Sequence, residues 1–152
     1  MQTFFKSELD GLVDISQSIP VIFPIHPRTR QQIEHSPFKI NHTSLNLIEP
    51  LGYLDFLALQ THASLVLTDS GGVQEETTYL GIPCLTARPN TERPITITSG
   101  TNRLVASERR ILVDAVYTAL NGNPKYGRSV PEYWDGQAAV RIVELLRQYN
   151  YG

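Results

Sequence analysis

The stretch that decides the fold is ASLVLTDSGGVQEE, residues 63–76. Its apolar run predicts a short strand over residues 65–68. Two adjacent glycines, Gly71 and Gly72, follow at the mouth of that strand, and helix-forming residues with two carboxylates come next. A strand that passes through a tight turn into a helix is typical of a βα unit.

Short apolar runs and helical patterns alternate in the same way along the rest of the chain. No repeat, low-complexity segment or linker divides it, so we expect one domain over residues 1–152. Gly81 and Gly122 suit left-handed C-caps of two helices. The order predicts an α/β fold of βαβ units with a parallel sheet, and such sheets bind ligands at the carboxyl ends of their strands. Strands are predicted at residues 21–23, 45–48, 65–68, 84–87 and 103–105, and helices at residues 4–15, 28–35, 53–61, 73–80, 109–120 and 138–149.

Composition and charge exclude several classes of partner. With 41% hydrophobic residues and a net charge of -2, the 152-residue chain has no basic excess for nucleic acid or an anionic membrane. No apolar run approaches the roughly 18–20 residues of a membrane span, and the first residues lack the features of a secretory signal. The single cysteine, Cys84, excludes an internal disulfide, is predicted to be buried, and suits a cytoplasmic location.

The start of the helix after the two glycines has the features of a phosphate cradle. N–H groups in a first helical turn have no intrahelical partner, and the helix dipole adds positive potential there. Gly71 and Gly72 remove the Cβ atoms that would block an anion, and Ser70 adds a hydroxyl donor. The stretch matches neither the Walker loop nor the GxGxxG fingerprint. A tight turn with Asp69 or Ser70 as the N-cap is the alternative interpretation.

The two carboxylates of this helix are assigned different roles. Glu75 is interpreted as a charge that stabilises the helix dipole. Glu76 lies about one turn beyond Gly72 and can lean toward a ligand. A carboxylate next to bound diphosphate is repelled unless it accepts hydrogen bonds from sugar hydroxyls. Glu76 is therefore predicted to contact a ribose rather than a phosphate.

Candidate ligand contacts also follow the first and second strands. His26 and Arg28 are cation-capable groups suited to a diphosphate or to a neighbouring carboxylate, although a Pro-framed turn also explains them. Phe56 can offer a flat face to a base, and the backbone near Leu51 can bind the base edge. An aromatic residue at helical spacing is also typical of a core, so both interpretations of Phe56 stay open.

The loop after the fourth strand, RPNTERP, carries two further cations. Arg88 and Arg93 can reach an anion there, or remain solvated. No metal site is expected, because the histidines lack HExxH or similar spacing, and DSGG lacks the GxSxG frame of a nucleophile elbow. No cofactor is expected either.

Six ordered motifs resemble one known family. TDSGGVQEE, GIPCLTAR, TERP and DGQAAVRIVELL, with VIFPIHPRTR and IEPLGYLDF, look like the C-terminal half of the non-hydrolysing UDP-N-acetylglucosamine 2-epimerases. The resemblance covers nearly the whole chain. It implies the architecture of GT-B glycosyltransferases, in which UDP lies between two Rossmann-like halves. The expected fold is therefore a Rossmann-like three-layer domain, equivalent to the C-terminal half of a GT-B fold.

The resemblance also implies contacts for each part of UDP. These agree with the interpretation from the residues themselves. The diphosphate would be held by Ser70, Gly71 and Gly72, the ribose by Glu76, the uracil by Phe56 and the Leu51 backbone, and Arg93 would lie at the ligand.

The chemistry implied by the family needs groups that this chain lacks. Family members eliminate UDP across C1–C2 of the sugar to leave a glycal, then add UDP back after proton transfer to the other face. The carboxylates come from the N-terminal domain, and an HR-x-E-N motif precedes the helix with which this chain opens. The chain is therefore expected to be a C-terminal portion, inactive alone, with a UDP-sugar and a missing N-terminal domain as partners. Its open ligand face favours a homo-oligomer.

Two departures from the family pattern leave details open. Ile95 follows Pro94 where many members have Glu, which affects the ligand contacts of that loop. HPRTR is closer to relatives that act on modified UDP-sugars than to the HLNP form, which leaves the sugar open. The rival functions are the C-terminal half of a GT-B glycosyltransferase and a non-catalytic nucleotide-binding or assembly module.

Overall fold

A computed structural model of the chain describes residues 2–34, 44–122 and 130–149 and shows helices alternating with short strands. The predicted alternation is confirmed, and most element ends fall within two residues of the predicted ones. In chain order the elements are α1 (Gln2–Ser16), β1 (Val21–Pro24), α2 (Pro27–Glu34), β2 (Leu45–Ile48), α3 (Tyr53–Thr61), β3 (Val66–Thr68), α4 (Gly71–Leu80), β4 (Cys84–Thr86), α5 (Pro94–Thr98), β5 (Asn102–Leu104), α6 (Arg109–Asn121) and α7 (Ala138–Tyr149).

The strands pair in parallel, as predicted, in two hydrogen-bonded ladders. One ladder joins β1 to β2, and the other has the order β3-β4-β5. In the second ladder Thr68 lies beside Thr86, and Thr86 beside Leu104. Because the strands run the same way, the chain leaves β3, β4 and β5 at one edge, from which it enters α4, α5 and α6.

Two clusters of apolar side chains form the interior. The β1 residue Val21 packs against both of them and so links the two ladders. The first cluster contains Ile15, Leu85, Val105, Leu112, Ala115, Val116 and Ala119, and the second contains Leu9, Ile25, Ile33 and Leu45.

The single cysteine is fully buried in β4, as predicted. Burial raises the pKa of the Cys84 thiol, although hydrogen bonds with Thr77 and Thr86 act in the opposite direction. A thiol that stays protonated inside the fold is a small core residue rather than a nucleophile.

The C-caps of two helices differ from each other. Gly81 has the predicted left-handed conformation, with φ 72°. The same prediction is wrong for Gly122, whose backbone is extended with φ -74° and ψ 142°. A Cβ at Gly122 would lie 2.8 Å from the carbonyl oxygen of Thr118, so this glycine permits a close backbone approach instead.

Two helical details were not predicted. Helix α4 begins at Gly71, two residues earlier than predicted, so both glycines lie in its first turn although glycine has a low helix propensity. The five-residue helix α5 was missed, because its sequence PITIT is rich in β-branched residues. Two of the histidines considered as metal ligands, His35 and His42, lie outside the described residues, as does Pro124, which is expected to prevent the preceding helix from continuing. Within the described ranges, no helix has the length and apolar character needed to cross a membrane.

Candidate functional site

The turn between β3 and α4 leaves the start of α4 open. Ser70 is the N-cap, with extended backbone, but its hydroxyl makes no capping hydrogen bond. A Cβ on Gly71 would meet no described atom within 4 Å, and one on Gly72 would meet only Ser70 Oγ, at 4.0 Å. An anion therefore has an unobstructed approach to the first turn, where helix amides lack intrahelical partners.

The start of α6 shows what a closed helix end looks like in the same fold. Its first backbone N–H, from Arg109, donates to Ser7 Oγ of α1 at 2.8 Å. At the start of α4 the nearest comparable bond belongs to the turn itself, where the Ser70 N–H donates to Thr68 Oγ1 at 3.0 Å. The turn is thus held in place without a side chain occupying the space in front of the first turn of α4.

The two carboxylates of α4 have different partners. Glu75 Oε1 lies 3.0 Å from Arg93 Nε in an ion pair that is about half exposed. Glu76 Oε2 accepts a hydrogen bond of 2.7 Å from the buried Gln60 Nε2 of α3. The interpretation of Glu75 as a dipole partner is therefore incomplete: it is the fifth residue of α4, beyond the first turn, and its specific partner is Arg93.

A buried polar network fixes the loop that carries Arg93. Gln74 Oε1 accepts hydrogen bonds from Thr91 Oγ1 at 2.6 Å and from Asn102 Nδ2 at 3.1 Å. Thr91 Oγ1 also accepts the Arg93 N–H, at 2.9 Å. Helix α4, strand β5 and the loop that leads to Arg93 are thereby joined, so Arg93 is held beside α4 by two independent sets of bonds.

An open cleft of about 480 Å³ borders the carboxylates. Its walls come from α3, α4 and the segment before α7, and they combine aromatic rings with carboxylates. The lining residues are Tyr53, Leu57, Glu75, Glu76, Tyr79, Leu80 and Trp134.

The remaining predicted ligand contacts form two groups, one on or before α3 and the other at the start of α2. Phe56 lies one turn before Gln60 on α3, which packs against α4, and exposed Leu51 precedes that helix. His26 and Arg28 are exposed at the start of α2, on the other ladder, where the Arg28 N–H donates to His26 Nδ1 at 3.3 Å. The bond between Gln60 and Glu76 joins α3 to α4, and of the predicted ligand contacts only Glu76 lines the cleft. The nucleotide contacts of all these residues stay predictions.

Comparison with known proteins identifies the family of the chain. A family model described as UDP-N-acetylglucosamine 2-epimerase matches residues 3–147. The chain belongs to this family. It matches the C-terminal half of the UDP-N-acetylglucosamine 2-epimerases, and its α/β fold is of the GT-B type.

Named relatives and a solved structure of the epimerase family agree on the extent of the match. UDP-N-acetylglucosamine 2-epimerase of Escherichia coli K12 is 39% identical over 94% of this chain and 40% of that protein. UDP-2,3-diacetamido-2,3-dideoxy-D-glucuronate 2-epimerase of Pseudomonas aeruginosa is 40% identical over 92% of this chain and 38% of that protein. The structure of the Methanocaldococcus jannaschii enzyme in complex with UDP-GlcNAc and UDP has TM-score 0.80 and 37% identity, and covers 97% of this chain and 41% of that one. The chain therefore spans about two fifths of the length of these relatives.

Several polar residues of the site were missed from the sequence. Gln60 is one polar residue in a largely apolar helix, and its partner Glu76 lies 16 positions further along the chain. Neither Gln74 nor Asn102 has a local sequence signal, because the hydrogen bonds of Gln74 to Thr91 and to Asn102 span 17 and 28 positions. No group of three metal-ligating residues occurs in the part of the chain that the structure describes.

Proposed function

We propose that this chain is the UDP-binding half of a UDP-N-acetylglucosamine 2-epimerase, an isomerase that inverts C2 of the sugar. The observation that carries the proposal is the open first turn of α4, with Gly71 and Gly72 uncovered and Glu76 one turn away. Backbone N–H groups there bind the diphosphate, and the helix dipole favours its negative charge. Ser70 adds its hydroxyl as a further donor.

The other predicted residues complete the nucleotide site. Glu76 accepts hydrogen bonds from the ribose hydroxyls, which lets a carboxylate lie near a diphosphate. Phe56 and the Leu51 backbone contact the uracil, and Arg93 adds a positive charge beside the ligand. His26 and Arg28 are kept as candidate cations for the diphosphate.

The role of this half in the reaction is to hold UDP while it leaves and returns. In the elimination step a base takes the proton from C2, the electrons of that C–H bond form the C1=C2 double bond, and the C1–O bond breaks so that UDP leaves with its electron pair. Amide N–H groups already aimed at the diphosphate stabilise the charge that develops on it. The base acting at C2 is not among the residues assigned to this site, so we propose that the isolated chain binds UDP but does not epimerise the sugar.

The partners are proposed on the same basis. The substrate is a UDP-sugar, with UDP-N-acetylglucosamine as the first choice, used for surface-polysaccharide precursors. A second domain, corresponding to the rest of the length of the relatives, supplies the base and closes over the nucleotide. We further propose that residues 1–152 form a single domain and that the chain forms a homo-oligomer. The proposed location is cytoplasmic, which suits the reduced Cys84.

The proposal is tested by calorimetric titration of the full chain with UDP. Gly72→Asp places a carboxylate at the first turn of α4, and Gly72→Asn places a neutral group of nearly the same size there. We expect the wild-type chain to bind UDP and the Asp variant to bind about tenfold or more weakly than the Asn variant, because like charges would meet at short range. Equal affinities of the two variants, or no uptake of UDP by the wild type, would contradict the site.

A further inference from the structure

The buried glutamine of α3 uses only one of its two amide atoms in hydrogen bonding. Gln60 is only 2% exposed, in the last turn of α3, where that helix packs against α4. Its Nε2 lies 2.7 Å from Glu76 Oε2. Its Oε1 is buried and finds no partner among the described residues. One half of this amide is therefore strongly bonded and the other half is unsatisfied.

The chemistry of the two groups fixes which amide atom faces Glu76. An ionised carboxylate can only accept hydrogen bonds, so an amide oxygen turned toward it would meet oxygen at 2.7 Å. With nitrogen inward, the contact is a short charge-assisted hydrogen bond. The orientation follows from the network itself.

The neighbouring carboxylate, Glu75, has a charged partner, whereas the partner of Glu76 is neutral. Glu75 is bound by the guanidinium of Arg93, which offsets its charge. Glu76 is held by an uncharged amide, which fixes the side chain without neutralising it. Because the amide uses only Oε2, the second carboxylate oxygen stays available to a ligand in the adjoining cleft.

We propose that Gln60 is a positioning residue for the nucleotide site. It holds Glu76 in an orientation that leaves the other carboxylate oxygen free to accept from the ribose. An apolar side chain would fill this buried position without leaving an unsatisfied oxygen, so the glutamine is unfavourable for packing and is explained by the bond it donates. The inference rests on the proposed function, in which Glu76 binds the ribose.

The test compares UDP with 2′-deoxy-UDP, which lacks one ribose hydroxyl, by calorimetric titration of the full chain. The wild type is expected to prefer UDP by about tenfold, the range expected for a hydrogen bond to a charged acceptor. Gln60→Met keeps the length of the side chain but cannot donate. It is expected to bind UDP more weakly and to reduce the preference to about twofold or less.

A second buried glutamine provides the matched control. Gln74 is fully buried on α4, but its amide bonds to Thr91 and Asn102 rather than to Glu76. Gln74→Met is expected to weaken the binding of UDP and of 2′-deoxy-UDP by the same factor and to leave the preference for UDP unchanged. A preference lost in Gln60→Met and kept in Gln74→Met is the result that a merely structural role of Gln60 cannot give.

The outcomes separate the two proposals. A wild-type chain that does not bind UDP contradicts the proposed function, and the positioning role with it. If the wild type binds UDP and Gln60→Met keeps the wild-type preference, the positioning role alone is wrong. Should Gln60→Met fail to fold, exchange of the Gln60 side-chain amide protons in the wild type decides. Slow exchange that becomes fast in Glu76→Ala supports the bond, and fast exchange in the wild type overturns it.

Discussion

The helices α6 and α7 have similar sequence patterns but differ in the burial of their apolar side chains. Both are amphipathic, and both carry apolar residues at positions separated by three and four. Helix α6 buries Leu112, Ala115, Val116 and Ala119 and packs against α1. Helix α7 buries none of its side chains. Ile142, Val143, Leu145 and Leu146 are all about half exposed.

The difference shows that an apolar stripe predicts a contact face but not the partner that covers it. The stripe of α6 meets α1 within this chain, and a bidentate bond from Arg109 to Asp14 joins the two helices. The stripe of α7 remains open on the described part of the chain. A contiguous apolar face of this kind is typical of an interaction surface, and it fits a chain that spans about two fifths of its relatives' length.

A matched pair of leucines tests the comparison most strongly. Leu112 is 1% exposed on α6, and Leu146 is 57% exposed on α7. We expect Leu112→Ala to lower the free energy of unfolding by about 2–5 kcal/mol, because it removes buried methyl groups and leaves a cavity. Leu146→Ala should change it by less than about 0.5 kcal/mol.

Urea unfolding of the two variants, followed by circular dichroism, measures this difference. Similar losses in both would mean that α7 packs against the domain in solution. A small loss for Leu112→Ala would remove α6 from the core.

The sequence predicted much of the fold because the deciding signals are local. Apolar runs bounded by Gly and Pro gave the strands, and the parallel arrangement follows from their alternation with helices. Helix α5 could not be predicted in this way. Its buried Thr96 donates to the Arg93 carbonyl and accepts from Asn102 of β5, so side-chain hydrogen bonds hold a turn that propensity disfavours.

The site was predictable to a different degree. The open seat at Gly71 and Gly72 follows from residue types that are adjacent in the sequence. The bond from Gln60 to Glu76 and the ion pair of Glu75 with Arg93 depend on how α3 and the loop before α5 lie against α4. Partners brought together by packing leave no signature in a local pattern.

Charging the open face of α7 gives the next test. The double variant Ile142→Lys and Leu146→Lys places cations on a stripe whose residues are about half exposed. We expect little change in unfolding of the isolated chain, because no buried contact is lost. Any self-association seen by sedimentation velocity should fall, because burying lysine in an apolar interface is unfavourable. Association unchanged by the two lysines would place the contact between copies on another surface.

The ion pair between α1 and α6 should have a smaller, pH-dependent effect. The hydrogen bond from Arg109 holds the pKa of Asp14 below its usual value of 3.8. Because the pKa of Asp14 is lower in the folded state, its stabilisation is complete above the unfolded-state pKa and is lost as the pH falls through the folded-state pKa. Asp14→Asn should therefore lower the urea midpoint near neutral pH, and the gap from the wild type should close in acid. A gap that is independent of pH would assign the effect to packing.

The corresponding pair at the start of α7 should have the smallest effect. Arg141 donates two hydrogen bonds to Asp135 and lowers its pKa to about 2. However, these residues are six apart and the bond between them is exposed, so the pair closes a turn rather than joining distant elements. Asp135→Asn should leave the urea midpoint of the domain unchanged from neutral pH down to about pH 4. A loss as large as that of Asp14→Asn would show that the turn before α7 is coupled to the core, and the contrast between α6 and α7 would no longer hold.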